Sequence, residues 1–444
     1  MRSVLSLSFF IFTLTAVWAD SLFQRENSAV TQLFRTDFGT LRGSSFPSAL
    51  LLFESQAQTG EWQTEASLIF QGNGDFTDTG FDFNQLSMTR YLEEDEIKIG
   101  KFVTSVGVLD YLSLANVLNP VRAQFFDDAN PNIRRIPLWM VQGTLSPADE
   151  TTFRFFIEPF DSRYQDYTST YLSIALDRLL PQYFSSYNLD DETLEVIRNE
   201  IFLPAYTQGI APSIKRKVGN YYSFDNFTLD KTMIGFDYTH ADFDTMVGVN
   251  WFNKYSEVPF IEVDPDLIAL IQNEGDAAEH IKEYLDQNDL SVVKSVEGFR
   301  YNQVSIYGEG AFSEYGMRFE ATYRDKIPLI DDFSALFMVG AGIDHSGASS
   351  YNDFELQWIY LDESGQNIFA TIWVYKYPPF FLNGISIRPE NYTMYGATEG
   401  AHQISFLPNL TFDYREHLQL RIQYLFYPDD AYYNTFMATL GVRF

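Results

Sequence analysis

The sequence predicts an all-β fold: a transmembrane antiparallel up-and-down β-barrel of about 18 strands, or 16 as the alternative, with long, partly helical extracellular loops. Three observations predict it. Apolar side chains recur at every second position along much of the chain. No stretch approaches 18 consecutive uncharged apolar residues, so no apolar helix crosses a bilayer. Short and long connections between the alternating segments follow one another in turn.

Composition narrows the classes of function. The 444 residues include 41 Phe, 28 Tyr and 6 Trp, far too much apolar surface for a disordered chain. With no cysteine, disulfide frameworks, thiolate nucleophiles, Cys-ligated zinc and iron–sulfur clusters are excluded. A net charge of −30 excludes a nucleic-acid partner held by phosphate neutralisation.

The first residues set the compartment. Arg2 is the only charge before an apolar run from Leu5 to Leu14, and Val17-Trp18-Ala19 places compact residues before a cleavage point. Residues 1–19 therefore read as a signal peptide, cleaved after Ala19 and leaving 20–444 as the barrel. The run is too short to span, which takes about 20 apolar residues. An exported chain without a spanning helix is either a soluble exported protein or a closed membrane barrel.

The strands favour the barrel. In 432–444, Tyr432, Asn434, Phe436, Ala438, Leu440, Val442 and Phe444 share one face, opposite Tyr433, Thr435, Met437, Thr439, Gly441 and Arg443. In 315–324, Tyr315, Met317, Phe319, Ala321 and Tyr323 oppose Gly316, Arg318, Glu320, Thr322 and Arg324. Eighteen such segments can be drawn: 30–41, 49–57, 61–70, 82–91, 95–104, 134–146, 151–160, 228–240, 243–252, 299–312, 315–324, 334–345, 352–361, 367–376, 381–388, 403–413, 416–426 and 432–444. Connections after even-numbered segments are short, and the long ones (105–133, 161–227, 253–298 and 389–402) follow odd-numbered segments. Short turns on one side and long loops on the other are the habit of membrane barrels with both termini on the turn side.

Two local patterns resemble known families. Ala438-Thr439-Leu440-Gly441-Val442-Arg443-Phe444 resembles the C-terminal assembly signal of Gram-negative outer-membrane barrels, carried by Phe436, Leu440, Val442 and Phe444. That resemblance implies the barrel-assembly machinery as a partner and the outer membrane as the destination. Ile99-Gly100-Lys101, Gly107, Leu118-Asn119-Pro120 and Arg134-Arg135-Ile136-Pro137-Leu138-Trp139 resemble an uncharacterised family of large proteobacterial outer-membrane barrels, porin-like or export-associated. Val106 stands here where that family has Trp.

Alternation assigns Glu65, Lys98, Arg318, Glu320, Arg324, Arg421 and Arg443 to the inner, pore-lining face. Charges of both signs across a water-filled lumen set a field that screens permeants. Segment 105–133 is too apolar to lie free in water. It reads as a constriction loop that folds into the lumen, carrying Asn119, Pro120, Phe125, Phe126, Asp127 and Asp128. Helical spacing appears in 172–203 and 264–290, within the outer loops 161–227 and 253–298. The acids of the latter offer hard oxygen ligands to cations that bridge lipopolysaccharide, although no calcium-loop spacing is present.

No His-Glu-x-x-His, Gly-x-Ser-x-Gly or phosphate-loop pattern exists, and His345-Ser346 reads as a polar strand end, so no catalytic, cofactor or metal site is assigned. The functional expectation is a passive outer-membrane channel for small solutes, surrounded by lipid and lipopolysaccharide, with an oligomer allowed. The alternative is a closed barrel for adhesion or partner docking, or an outer-membrane component of an export system.

Overall fold

The computed structural model describes residues 28–41, 44–72, 79–119, 135, 137–159, 232–255, 260–266, 269, 283–284, 293–297, 299–328, 333–347, 350–362, 365–398, 401–414, 418–426, 428 and 435–443. The signal segment 1–19, residues 120–134 with Pro120, Phe125, Phe126, Asp127 and Asp128, the helical reading of 172–203, most of that of 264–290, and Phe444 lie outside them.

The first half of the wall is β1 (Ser28–Leu41), β2 (Ser44–Thr59), β3 (Trp62–Gly72), β4 (Thr79–Leu92), β5 (Asp95–Phe102), β6 (Leu138–Ala148), β7 (Thr151–Glu158), β8 (Met233–Asp242) and β9 (Thr245–Tyr255). A separate two-stranded sheet, β10 (Phe260–Val263) with β11 (Val293–Glu297), follows. The wall resumes with β12 (Arg300–Phe312), β13 (Tyr315–Pro328), β14 (Phe333–Ser346), β15 (Tyr351–Leu361), β16 (Gln366–Lys376), β17 (Phe380–Leu382), β18 (Ile385–Thr398), β19 (Ala401–Tyr414), β20 (Leu418–Leu425) and β21 (Thr435–Arg443).

Each wall strand pairs antiparallel with the next; β9 bridges to β12, and β21 returns to β1 with Leu33 opposite Arg443. The sheet is closed. It contains 19 strands, but β16 and β17 both pair with β18, joined across Pro378-Pro379 by the Tyr377 N–H to the Pro389 carbonyl. They are two halves of one crossing, so the described ring has eighteen positions. Proline has no N–H to give a ladder and is tolerated at such an irregularity.

The wall is apolar outside and polar inside. Met317 and Phe319 on β13 are 48% and 47% exposed, whereas Arg318 and Glu320 between them are 8% and 0% exposed. Leu418, Leu420 and Tyr424 on β20 face out while Gln423 is buried. A water-soluble sandwich would reverse this order; a barrel with lipid around it requires it.

Six turns at one end have two residues each: Gly60-Glu61, Glu93-Glu94, Asp149-Glu150, Phe243-Asp244, Ser313-Glu314 and Asn383-Gly384. The long connections after β5, β7 and β9 all lie at the other end. Asn383 (φ 50°) and Gly384 (φ 80°) both take the left-handed conformation, which matches the twist of a tight hairpin. This turn corrects two expectations. Segment 381–388 is not a strand but the tip of the β17–β18 hairpin, and 389–402 is not a long loop but the body of β18 running into β19. The Asn-Gly pair, rather than the two prolines, ends the crossing. Within the acidic connection 253–298, β10 and β11 form a hairpin-like pair that the sequence reading did not anticipate.

Inside the ring, one sector is packed solid. Phe102 at the end of β5, with Val106, Val117 and Leu118 from the chain after it, meets Leu138, Met140, Phe156, Met233 and Phe252 from the inner faces of β6 to β9. Burial of each large side chain contributes about 1.5–3 kcal/mol.

Candidate functional site

Residues 103–119 leave β5 and lie against the inner faces of strands on the far side of the ring. Their base is a corner built on Asn119. Its side-chain oxygen accepts the Thr104 N–H at 2.8 Å, its amide nitrogen donates to the Phe102 carbonyl at 3.2 Å, and Arg135 Nη1 donates to its own carbonyl at 2.9 Å. Just before the segment, Gly100 in β5 has a φ of +136°, and its missing Cβ lets the Leu86 carbonyl and Ser87 Cα approach.

Two wall carboxylates hold the segment through its backbone. Glu320 Oε1 accepts the N–H groups of Val108 (2.6 Å) and Leu109 (2.9 Å), and Oε2 those of Leu114 (2.5 Å) and Ala115 (2.9 Å). The Ser113 hydroxyl lies 3.3 Å from both oxygens. Glu355 accepts Asp110 at 2.7 Å, Tyr111 at 3.1 Å and Leu112 at 2.8 Å. A fully buried carboxylate is tolerable only with such a set of donors. Gly107 makes the approach feasible: its φ is +87°, and a Cβ there would meet the Glu320 carboxylate and Ala115 Cβ.

Arg318 neutralises this acid-rich corner. It reaches Asp110 at 2.7 Å and Asp353 at 2.6 Å, and lies 3.5 Å from both Asp344 and Glu355. Carboxylate oxygens of Asp110, Asp353 and Glu355 come within 4.8 Å of one another, a spacing that suits a metal ion, but the guanidinium already serves as the cation they share.

Other walls complete the cradle. Gln303 Nε2 donates to the carbonyls of Leu114 (3.1 Å) and Ala115 (3.3 Å), and buried Lys254 donates to the Val117 carbonyl. Arg154 donates to the Ser105 carbonyl at 2.9 Å while paired with Asp237 at 2.7 Å, and Asp237 also accepts the Tyr307 hydroxyl. The tip reaches furthest: the Tyr111 ring meets Tyr392 edge-on at 5.9 Å, and Tyr111 and Leu112 pack on Ile372, Val374 and Leu407. Burial pushes the Tyr111 phenol above its ordinary range, Asp110 and Asp353 adding to the effect, so it stays neutral.

The remaining sequence-assigned residues fall elsewhere. Glu65 and Lys98 form an ion pair of 2.7 Å, with Gln63 (2.9 Å) and Ser87 (3.2 Å) also donating to Glu65. Arg324 donates to Gln303 at 2.9 Å and lies over the Tyr301 ring. Arg421 is 3.6 Å from Glu390. Arg443 closes the β1–β21 seam by backbone register, as do Phe436, Leu440 and Val442. His345 stands 3.3 Å from Glu314 at the turn end. Glu355, Asp353 and Gln303 were missed; Asp353 and Glu355 alternate on one face of 352–361, a signal available in that segment.

No family model and no curated protein matches the chain. The solved structures that match along nearly their whole length include the outer-membrane protein opdK from Pseudomonas aeruginosa and OccAB3 from Acinetobacter baumannii. Each has a TM-score of 0.50 and 8% identity over 94% of this chain and 99% of the other. Identity this low speaks to fold alone, and on fold the walls and the comparison agree: the chain has the architecture of an outer-membrane β-barrel.

Proposed function

We propose that the protein is a porin-like channel for passive passage of small solutes across a bacterial outer membrane. The observation that carries this reading is the inside-out wall: outward Met317, Phe319, Leu418 and Leu420 against inward polar groups that keep water contact, such as Lys98 and Glu65. A ring of eighteen positions is wide enough to leave an aqueous route. The docked segment 103–119 supports a constriction: held on walls from β6 round to β19, it narrows the lumen to one side. A leader removed after Ala19 fits export, and assembly through the C-terminal strand fits its place at the seam. Lipid and lipopolysaccharide contact the outer wall in this reading, and the wall admits an oligomer.

Planar-bilayer recording of the purified, detergent-folded protein tests it. Discrete, ohmic current steps are expected; silence from protein that shows heat-modifiable gel mobility overturns the reading.

A further inference from the structure

Residues 103–110 of the seated segment, together with Ser113, Asn116 and Arg135, border a cavity of about 240 Å³ inside the ring. That volume holds roughly eight waters at about 30 Å³ each, or one six-carbon sugar. Ser105 and Asp110 on its edge are exposed, so it opens to the lumen. Glu320 and Glu355 take the backbone N–H groups of 108–112, 114 and 115, but those of Ser105, Val106 and Gly107 meet no acceptor among the described residues. The hydroxyls of Thr104 and Ser105 are likewise unengaged among the described residues. Polar groups left over in a folded chain are met by water or by a ligand.

The charge around this cavity is acidic. Arg318 is shared by Asp110, Asp344, Asp353 and Glu355, Arg154 serves Asp237, and Glu320 is held by N–H groups and the Ser113 hydroxyl. With Arg135 included, six carboxylates stand against three guanidiniums among the described residues. Asp110 is the one most open to water: its side chain is 53% exposed, with one oxygen 2.7 Å from Arg318 and no described hydrogen bond to the other. Arg135 is 7% exposed and donates to the Asn119 carbonyl.

Resting on the channel reading above, we propose that this cavity is a solute-binding site on the route, taking small hydroxylated solutes that carry an ammonium group, amino sugars and amino alcohols, in preference to their carboxylate counterparts. An ammonium group at Asp110 gains a charge-assisted hydrogen bond in place of the hydration it sheds. The hydroxyls of the solute exchange water for Thr104, Ser105 and the N–H groups of 105–107 at little net cost. A carboxylate in the same place meets Asp110 as a like charge.

The test uses the full-length protein in planar bilayers, with glucosamine, glucose and glucuronate added in turn at mildly acidic pH, where the amine is protonated. Glucosamine is expected to interrupt the KCl current with several-fold longer dwells than glucose, and glucuronate with the shortest. Equal dwells, longer ones for glucuronate, or no interruptions overturn the inference while leaving the channel intact; no current from heat-modifiable protein overturns the channel reading itself. Three variants locate the site. Asp110→Asn keeps an oxygen for Arg318 but removes the charge, and should bring glucosamine down to the dwell of glucose. Thr104→Val removes an unengaged hydroxyl and leaves the Asn119 corner intact, and should shorten the dwells of both. Glu96, on the inner face of β5, is bonded to Thr144 at 3.0 Å and has no cation beside it among the described residues. Glu96→Gln should leave the dwells unchanged. Equal losses in Asp110→Asn and Glu96→Gln, or none in Asp110→Asn and Thr104→Val, in variants with heat-modifiable mobility overturn the inference.

Discussion

Glu320 and Glu355, on strands separated by β14, divide one chain segment between them. Glu320 takes the backbone N–H groups of residues 108, 109, 114 and 115, and Glu355 those of 110, 111 and 112. The segment has no helix or sheet to satisfy these donors, so the wall supplies the acceptors that secondary structure would otherwise provide.

Glu320→Ala removes four of those acceptor contacts at once. Each orphaned buried donor costs about 1–3 kcal/mol, so the segment leaves its seat rather than stay unpaired. The expected result is a larger, noisier single-channel current, with Glu320→Gln intermediate because it keeps one carbonyl oxygen. An unchanged trace in Glu320→Ala shows that the segment does not lie in the path.

Gly107→Ala is expected to act on the same seat from the other side. The left-handed backbone costs a residue with Cβ about 1–2 kcal/mol, and the added methyl collides with Glu320. Thermal unfolding followed by gel mobility should show a lower midpoint than wild type; an equal midpoint contradicts the close approach.

Arg318→Met strands Asp110, Asp353 and Glu355 without their shared cation. Removing one partner of a buried ion pair typically costs about 3–5 kcal/mol. Much of the loss should return in Arg318→Met combined with Asp353→Leu, measured by chemical denaturation in lipid vesicles, and additive losses argue against the coupling.

Phe319→Arg probes the outer face. An arginine in contact with lipid near mid-bilayer costs about 2–4 kcal/mol. Phe319→Arg should fold into vesicles poorly where Phe319→Ala folds well, and equal yields argue against a lipid-facing position.

Deletion of Phe444 should impair assembly, if the terminal residue is read as an assembly signal. Normal amounts of heat-modifiable protein in the outer membrane of expressing cells contradict that role.

Much of the wall was legible because a strand's two-residue period writes its faces directly into the sequence: Met317, Phe319 and Tyr323 face out and Arg318 and Glu320 face in, in the phase that alternation assigns. The β17–β18 hairpin was misread because Pro378-Pro379 looked like a break, while Asn383-Gly384, a stronger hairpin signal, lay inside the supposed strand. The seat of residues 103–119 was not legible at all. Sequence alternation puts Glu320 on a face, but which backbone donors it meets depends on contacts more than 200 positions away. Glu355 carries no motif; only the alternation of Asp353 and Glu355 within one segment marks it.

The seam has a consequence for how the molecule comes into being. Residues 33–40 take their second hydrogen-bonding partner from 436–443, so the opening strand waits through almost the whole length of the polypeptide before its far side is covered. During that wait the nascent sheet carries two bare edges and a greasy exterior, the features that invite neighbouring chains to stick. Such a chain depends on an escort until its final strand is delivered, and mutations that slow closure will be felt as lost yield before they register as altered transport.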